Sequence, residues 1–465
     1  MKNKDVGTSS DDSLLHYPMN GFVIFVASIA AIGGILFGFD TGVISGAILF
    51  IKTQFHLTSF MNGVVVSASL IGAIVGAAVS GKAADRFGRK RLLMLAALIF
   101  IVGTLSSAYS TSVAALVISR IILGLGIGIS SFTAPLYISE VSPTRLRGAL
   151  VSLNQLAVTV GIFVSYFVDE YFSKSGDWSN MFMVGVIPAV ILFIGLIFLP
   201  YSPRWLCLRG KFDEAIAVLK KIRHSTHVEV EFKEIKESVS KQGDWHGLLK
   251  KWVRPAIWIG LGLGFFQQFT GINTVIYYAP TIFKLSGFSS NSIAIMATMG
   301  IGAVNVLATI AAIPLIDKVG RKPLLYVGMT LMALCLFGLS LSYMFATIDL
   351  KWIAFTSIIF YVIGFAISLG PIMWLMFTEV FPLQVRGVAT SIMASMQWAF
   401  NFIVSLTFLS LIKYFHASGT FALYGIICVI GILFVYLKVP ETKGTSLEKI
   451  EANLRAGVAS RYLGN

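Results

Sequence analysis

The chain has 465 residues, of which 56% are hydrophobic and 12% are charged, and its mean hydropathy is +0.82. Because about a quarter of the residues of a soluble domain are charged, this composition excludes a soluble globule and indicates a polytopic membrane protein. The formal net charge of +14 falls on alternate loops, a pattern that reports membrane topology and implies no nucleic-acid partner.

Apolar runs recur along the whole chain, and each is long enough to cross a bilayer core of about 30 Å. The polar residues before the first run, and the length of that run, predict that no leader is cleaved. We expect an all-α membrane protein with twelve spans, at approximately 22–50, 60–81, 92–109, 113–139, 149–171, 181–200, 254–283, 290–316, 323–346, 352–378, 388–412 and 419–437.

The first run carries a carboxylate, Asp40, near its middle. An ionisable residue inside a span is costly, so it indicates a functional site with a partner. The same run has glycines at four-residue spacing, which favours close packing of another helix; they are Gly34, Gly38, Gly42 and Gly46. At roughly 100° per residue, Asp40 is predicted to face away from this glycine stripe.

A partner for Asp40 is predicted from depth alone. Arg120 in span four and Asp40 in span one both lie roughly 10 to 15 Å below the outer surface, at about 1.5 Å per residue. An opposite charge favours the ionised acid and desolvation favours the neutral one, so separating the pair would change the acid's affinity for a proton. The alternative is a purely structural ion pair that holds the two spans together.

Lysine and arginine lie mainly in the two tails and in every second loop, whereas the intervening loops hold single basic residues. The positive-inside rule therefore places both termini and the long central loop in the cytoplasm. We expect a multi-pass protein of the inner (plasma) membrane. Three cysteines, far apart in sequence and without metal-ligand spacing, are predicted to be free buried thiols.

The chain repeats itself at about half its length. Asp85–Lys90 reads DRFGRK and Asp317–Lys322 reads DKVGRK, and SEVSP at 139–143 returns as TEVFP at 378–382. Two six-span copies are the architecture of transporters whose halves move about a midplane site. The predicted units are a cytoplasmic tail at 1–21, a first half at 22–200, a cytoplasmic helical linker at 201–252, a second half at 253–437 and a tail at 438–465.

Two hydrophilic segments are predicted to form short helices. Phe212, Ala215 and Leu219 share one helical face in the linker, and Thr445 with Glu448 reads as a capping box after the last span. We expect these helices to bridge the halves on the cytoplasmic side, with solvated linker helices as the alternative.

These motifs resemble the sugar porters of the major facilitator superfamily, along essentially the whole chain after the first twenty residues. The short first outer loop looks more like that of bacterial galactose-proton symporters than that of animal glucose carriers. The matching stretches are GFDTG at 38–42, DRFGRKR at 85–91, Arg120 with Gly124, Gly126 and Gly128, PLYISE at 135–140, PYSPRWL at 200–206, QQFTGIN at 267–273, GPIMW at 370–374 and PETKG at 440–444.

Amide side chains at mid-membrane suit a neutral, hydroxyl-rich ligand, because each donates and accepts hydrogen bonds without charge. Gln267 and Asn273 would point about 120° apart on a regular helix, so Gly271 is predicted to break the helix and let both line one cavity. The alternative is that the amides only hold helices together. The resemblance implies that sugar contacts Gln155, Gln267, Gln268, Asn273, Asn305, Trp374 and Gln397, with Phe37 and Tyr277 as neighbours.

The resemblance also implies an inner latch of loop charges that pair across the halves when the cytoplasmic side is shut. The alternative is that some of them are topology signals or exposed pairs of small worth. The latch residues are Asp85, Arg89, Glu140, Arg147, Arg204, Asp317, Arg321, Glu379 and Arg386. Tyr201 stands where the family usually has an acid, so we expect a weaker latch, which the inward/outward ratio of a Tyr201→Glu variant would test.

The resemblance implies symport of a monosaccharide and a proton, with Asp40 and Arg120 as the coupling pair. Gln397 is typical of xylose symporters, whereas Ile162 is typical of hexose carriers, so hexose and pentose stay open. A uniporter of the same fold and a sugar-sensing receptor are the alternatives. We expect a monomer in the lipid bilayer, with no enzymatic activity, no cofactor and no metal site.

Overall fold

The structure, a computed structural model, describes residues 21–143, 147–225, 227–240, 245–345, 350–382 and 384–464, and only the backbone of Arg147, Ser240 and Trp245. All the regular structure in these ranges is helical. Apart from Gly21, the predicted N-terminal tail lies outside the described residues.

The first half contains seven helices that make six passes. α6 and α7 are two parts of one apolar stretch, Trp178–Phe198. The bounds are α1 Gly21–Gln54, α2 Ser59–Phe87, α3 Arg89–Ala108, α4 Val113–Val141, α5 Arg147–Ser173, α6 Trp178–Met183 and α7 Val186–Phe198.

Three short helices follow, and then the second half begins. The linker helices are α8 Pro203–Leu208, α9 Phe212–Arg223 and α10 Glu229–Ser240. The second half and tail contain α11 Arg254–Phe269, α12 Ile272–Leu285, α13 Asn291–Val319, α14 Arg321–Met344, α15 Leu350–Ala366, α16 Leu369–Glu379, α17 Arg386–Lys438 and α18 Leu447–Arg455.

Ten helical stretches of the described chain are long and apolar enough to cross a membrane. The 53-residue helix α17 contains a non-helical residue, His416 at φ 56° and ψ 174°, so it accounts for two of the predicted passes. α11 and α12, with 16 and 14 residues, together make one further pass, which is broken at Gly271. The helical membrane fold with twelve passes is therefore as predicted.

The glycine stripe of α1 packs against α5, as its spacing predicts. A Cβ added at Gly34 would lie 2.6 Å from the Asn154 carbonyl oxygen, and one at Gly38 would overlap the Val158 carbonyl. Close backbone approach of this kind replaces the hydrophobic driving force that is missing between helices in lipid. The two helices therefore hold Asp40 at a fixed depth, on the side of α1 away from α5.

The two halves meet along paired helices. α2 packs against α17, where the Ser391 hydroxyl donates to the Ala77 carbonyl at 3.1 Å. α5 packs against α13, where a Cβ added at Gly302 would lie 2.9 Å from the Tyr166 ring. α1 packs against α12.

The linker helices dock on the first half. Arg223 of α9 is 2% exposed and donates to the carbonyls of Val141 and Ser142 at 2.8 and 3.2 Å, where α4 ends. Its guanidinium also pairs with Glu231 of α10 at 2.7 Å. We call the side of the bundle that carries α8–α10 the linker face, and the other side the opposite face.

The predicted cap of the last helix is wrong by one residue. Ser446 caps α18 by accepting from the Lys449 amide at 3.3 Å, because the Thr445 hydroxyl instead donates to the Gly464 carbonyl at 2.8 Å. α18 buries Ile450 and Leu454.

The three cysteines Cys207, Cys335 and Cys428 are free thiols, as predicted. Cys207 and Cys428 are buried, but the prediction of burial is wrong for Cys335, which is half-buried. Burial raises the pKa of the Cys207 thiol on the linker face. Because the thiolate is the reactive form, this side chain acts as a small apolar group in the packing of α8.

Candidate functional site

Asp40 and Arg120 form a buried salt bridge between α1 and α4. Arg120 Nη1 donates to Asp40 Oδ1 at 3.1 Å, and Arg120 Nη2 donates to Asp40 Oδ2 at 3.3 Å. Arg120 is 0% exposed and Asp40 is 3% exposed. The structure thus brings together the two residues that depth alone paired. A buried ion pair needs such two-point geometry, because the cost of removing both charges from water is large.

Two further groups hold the guanidinium of Arg120. Its Nη2 atom donates to the Ser69 hydroxyl of α2 at 3.1 Å, and the centre of the guanidinium lies 5.6 Å from the centroid of the Phe182 ring. The sequence reasoning missed both, because neither residue type stands out in an apolar run. Neither of these two contacts involves Asp40.

Tyr277 connects the ion pair to the second half. Its hydroxyl accepts from the Asn401 amide at 3.4 Å and lies close to the Thr41 hydroxyl and to both charges of the pair. Because Tyr277 belongs to α12 and Asn401 to α17, the Asp40–Arg120 pair of the first half borders polar groups of the second. Asn401 also accepts from the Ser405 hydroxyl at 2.9 Å.

Four amides form a continuous hydrogen-bonded chain in the second half. The amide of Gln397 donates to Gln267 Oε1 at 3.0 Å, as does that of Gln268, and Asn273 donates to Gln268 Oε1 at 2.5 Å. Gln267 itself donates to the Leu369 carbonyl at 3.1 Å. The structure therefore unites four of the predicted sugar-binding residues.

Gly271 breaks the seventh span, as predicted. It has φ 94° and ψ 14°, the left-handed conformation that favours glycine, and it separates α11 from α12. The break lets Asn273 turn back toward Gln268, so the amides on its two sides join in one network.

Aromatic rings lie beside the amides. Phe37 of α1 contacts Trp398 of α17 edge to face, with 4.8 Å between ring centroids, which joins the halves next to the network. Trp374 of α16 is half-buried and contacts the Phe377 ring at 5.8 Å. Such faces suit the C–H surface of a sugar ring.

Two predicted sugar contacts stand apart from this network. Gln155 of α5 is half-buried and Asn305 of α13 is 7% exposed, and neither side chain forms a hydrogen bond to another described residue. The Gln397 Oε1 acceptor and the Trp398 Nε1 donor, beside the network, are among the buried side-chain atoms that have no partner in the described part of the chain. These polar groups are available to a ligand.

The charged motifs of the repeat adopt the same arrangement in both halves. Arg89 pairs with Asp85 at 3.0 Å and with Glu140 at 2.9 Å. The equivalent second-half residues form the same bonds: Arg321 pairs with Asp317 at 3.4 Å and with Glu379 at 2.8 Å.

The ion pairs of these motifs lie within each half, whereas the latch was predicted to form across the halves when the cytoplasmic side is shut. Pairing across the halves therefore stays a prediction about another conformation. The Arg147 side chain lies outside the described residues. Arg386 donates to the Phe381 carbonyl of its own half at 3.1 Å, and Arg204 forms no ion pair with a described residue.

A hydroxyl from the end of each half completes each cluster. Ser202 donates to Glu140 and Thr442 donates to Glu379, both at 2.5 Å. These contacts form only in the folded chain, and nothing in the sequence other than the repeat itself indicates them.

Polar residues of α5 near the opposite face were also missed. The Tyr166 hydroxyl donates to the Ile276 carbonyl at 2.9 Å, and Ser292 donates to Glu170 at 2.8 Å, so both bonds join the two halves. Asp169 is 0% exposed and accepts from the Gly46 amide at 3.1 Å. An acid near the end of an apolar run was the available signal, and it is the same signal that identified Asp40.

A helical bundle of two repeated halves, with buried polar side chains of both halves close together where the halves meet, defines a membrane transporter. A family model described as "Sugar (and other) transporter" matches residues 26–454. The chain belongs to this family of sugar transporters.

Related proteins and structures cover nearly the whole chain. It is 46% identical to a D-xylose transporter of Levilactobacillus brevis, over 94% of this chain and 96% of that protein. It is 40% identical to the galactose-proton symporter of Escherichia coli (strain K12), over 95% and 96% respectively. A partially occluded inward-open structure of the xylose transporter XylE from E. coli matches with a TM-score of 0.82 and 35% identity, over 92% of this chain and 100% of that chain.

Proposed function

We propose that this protein moves a monosaccharide together with a proton across the plasma membrane, by alternating access between its two halves. The observation that carries the proposal is the buried two-point salt bridge between Asp40 and Arg120, which lies beside Tyr277 of the second half. A relative is named a galactose-proton symporter and another an arabinose-proton symporter, which supports the same activity here.

The salt bridge supplies the coupling step. Protonation of Asp40 removes its charge, so the guanidinium of Arg120 loses its ionic partner and retains Ser69 and the face of Phe182. Release of α4 from α1 in this way changes the packing of the first half next to Tyr277. The proton leaves Asp40 when water reaches the pair from the cytoplasmic side, and the bridge then re-forms.

The amide chain supplies the sugar site. Its bonds link side chains to one another, so sugar hydroxyls can replace them without leaving a buried donor or acceptor unpaired. The Gln397 Oε1 and Trp398 Nε1 atoms, which lack protein partners in the described chain, are assigned to sugar hydroxyls. Gln155, Asn305 and Trp374 complete the site from the neighbouring helices.

The site fits either a hexose or a pentose. Relatives are named as transporters of D-xylose, galactose, arabinose and glucose, and the amide chain can bond the hydroxyls that all of these sugars carry. An uptake assay with labelled glucose, in which galactose, xylose, arabinose and inositol compete in turn, ranks these compounds by their affinity for the site.

The proposed transporter is a monomer with both termini in the cytoplasm, so its linker face is the cytoplasmic face. The site lies within a single chain. The charged clusters around Arg89 and Arg321 are assigned to a cytoplasmic latch. When the cytoplasmic face closes, residues of these clusters exchange partners within their own half for partners in the other half.

Proton uptake on sugar addition tests the proposal. The purified chain is reconstituted in liposomes without a pH gradient, and the external pH is followed after sugar is added outside. Symport predicts alkalinisation that scales with sugar entry. Sugar entry without any change in external pH would show a uniporter instead.

A further inference from the structure

A cavity of about 310 Å³ opens on the linker face, between the α2–α3 turn and helices α8 and α9. Its lining is basic and aromatic, with arginines from three segments of the chain: Arg86 in α2, Arg91 in α3 and Arg209 after α8. The sugar and proton site does not use this cavity.

The three arginines have no acidic partner among the described residues. The cavity also contains Lys211 and Glu214, but these two pair with each other at 2.7 Å and leave no net charge. Three exposed guanidiniums therefore face one concave site, and like charges in a cleft raise the local concentration of anions.

Aromatic rings form the wall below these charges. Tyr201 stacks on Trp205, with 5.3 Å between ring centroids and 28° between ring planes, and the Arg91 guanidinium lies 5.6 Å from the centroid of the Tyr201 ring. Trp205 is 6% exposed and donates from its indole nitrogen to the Asp85 carbonyl at 3.1 Å. The wall is therefore held in place, and Tyr201 brings no negative charge to it.

The second half of the chain contains an anion at the equivalent place. There Glu441 accepts from the backbone amides of Arg321 and Lys322 at 3.1 and 2.9 Å, where α14 begins. Glu441 precedes Thr442 as Tyr201 precedes Ser202, and those two hydroxyls make matching bonds.

The first half lacks this carboxylate. Tyr201 occupies the position of Glu441, and no described side chain supplies an acid to the amides of the first turn of α3. In the second half, a carboxylate therefore occupies this position of the repeat. In the first half, the same position borders the cavity and has no carboxylate.

We propose that this cavity binds a phosphate-bearing anion, held by Arg86, Arg91 and Arg209 beside the first turn of α3. Guanidinium groups match phosphate oxygens in charge and geometry. The phosphate belongs either to an anionic phospholipid headgroup or to a soluble phosphate compound.

Binding is measured by calorimetry on the full chain in a neutral detergent, with short-chain phosphatidylglycerol and with inorganic phosphate as separate probes. Short-chain phosphatidylcholine, which has a phosphate but no net charge, measures the contribution of acyl chains. Binding of phosphatidylglycerol that inorganic phosphate does not displace assigns a lipid headgroup. Binding of inorganic phosphate itself assigns a soluble anion.

Variants locate the site. Arg91→Gln and Arg209→Gln each remove one charge from a different helix region and are expected to weaken binding about fivefold. Tyr201→Glu places a carboxylate under the guanidiniums and is expected to weaken it more than either. Arg254→Gln removes an exposed arginine of the second half and is expected to change nothing.

Circular dichroism and an unchanged elution volume in size-exclusion chromatography confirm that each variant is folded. The proposal is overturned if neither anion binds the wild type, if Tyr201→Glu binds as tightly as the wild type, or if Arg254→Gln weakens binding as much as Arg91→Gln does. Each of these results leaves the proposed sugar and proton transport untouched.

Discussion

Arg120 binds Asp40 through both of its terminal nitrogens, at 3.1 and 3.3 Å, with both side chains buried in the first half. Removing one partner of such a pair leaves an uncompensated charge, which costs about 3 to 5 kcal/mol in buried sites. Protonation of Asp40 avoids this cost for the acid and leaves Arg120 with Ser69. The pair is therefore stable in one protonation state and weakened in the other, as a coupling element requires.

Gln267→Leu is expected to weaken sugar binding by at least about tenfold. In the proposed complex Gln267 bonds sugar hydroxyls through its carbonyl oxygen and its amide nitrogen, in place of its present partners Gln268, Gln397 and Leu369. Each hydrogen bond to sugar that Leu cannot form costs about 0.5 to 1.5 kcal/mol, and two such bonds correspond to about tenfold in affinity. Sugar affinity is measured by tryptophan fluorescence titration. Thr407→Val is the control, because that hydroxyl bonds to carbonyls of its own helix, and equal affinities for both variants would exclude the amide chain as the sugar site.

Gly271→Ala is expected to destabilise the protein by about 1 to 2 kcal/mol or more, since an L-residue pays about that much in the left-handed region. Its Cβ would also lie 2.6 Å from the Tyr424 ring. Gly300→Ala is the matched control within α13, where the Cβ makes an ordinary contact of 3.6 Å with Phe355. Thermal unfolding in detergent should give a lower melting temperature for the first variant alone. Equal melting temperatures would argue against a structural requirement for the helix break.

Tyr166→Phe is expected to favour the conformation that is open at the opposite face. The variant keeps the ring but loses the bond to the Ile276 carbonyl at 2.9 Å, and a net hydrogen bond contributes about 0.5 to 1.5 kcal/mol. This corresponds to a shift of about two- to tenfold in the population ratio.

Spin-label distances between the halves at that face measure the shift. Tyr171→Phe, at a residue of the same helix that is 73% exposed, should leave the distance distribution unchanged. If Tyr166→Phe left it unchanged too, the bond would have no part in closing the opposite face.

Local chemistry made several features predictable from the sequence. A carboxylate in an apolar run, an arginine at matching depth and glycines at four-residue spacing each have a physical cost that folding must compensate, so Asp40, Arg120 and the α1–α5 contact follow from them. Gly271 was predictable for the same reason, because two amides six residues apart cannot share one side of a regular helix.

Contacts that depend on how helices are rotated and joined were not predictable. Glu140 meets Ser202, and Glu379 meets Thr442, across 62 and 63 positions of the chain, and nothing in their local sequence specifies the partner. Asp169 lies near the end of a predicted span, where a carboxylate is easily taken for an interfacial residue, yet it is fully buried. The latch partners depend on the conformation, which a sequence does not specify.

Accumulation and exchange by Asp40→Asn test the central claim most directly. The amide cannot exchange a proton, and it keeps a neutral acceptor beside Arg120 like that of the protonated acid. In liposomes with an inward proton gradient, the variant is predicted to lose sugar accumulation while its sugar exchange between equal concentrations stays within about threefold of the wild type. Asp177→Asn, which alters a half-buried helix cap where Asn serves as well, should accumulate sugar normally. Accumulation by Asp40→Asn equal to that of the wild type would contradict a role for this residue in proton coupling.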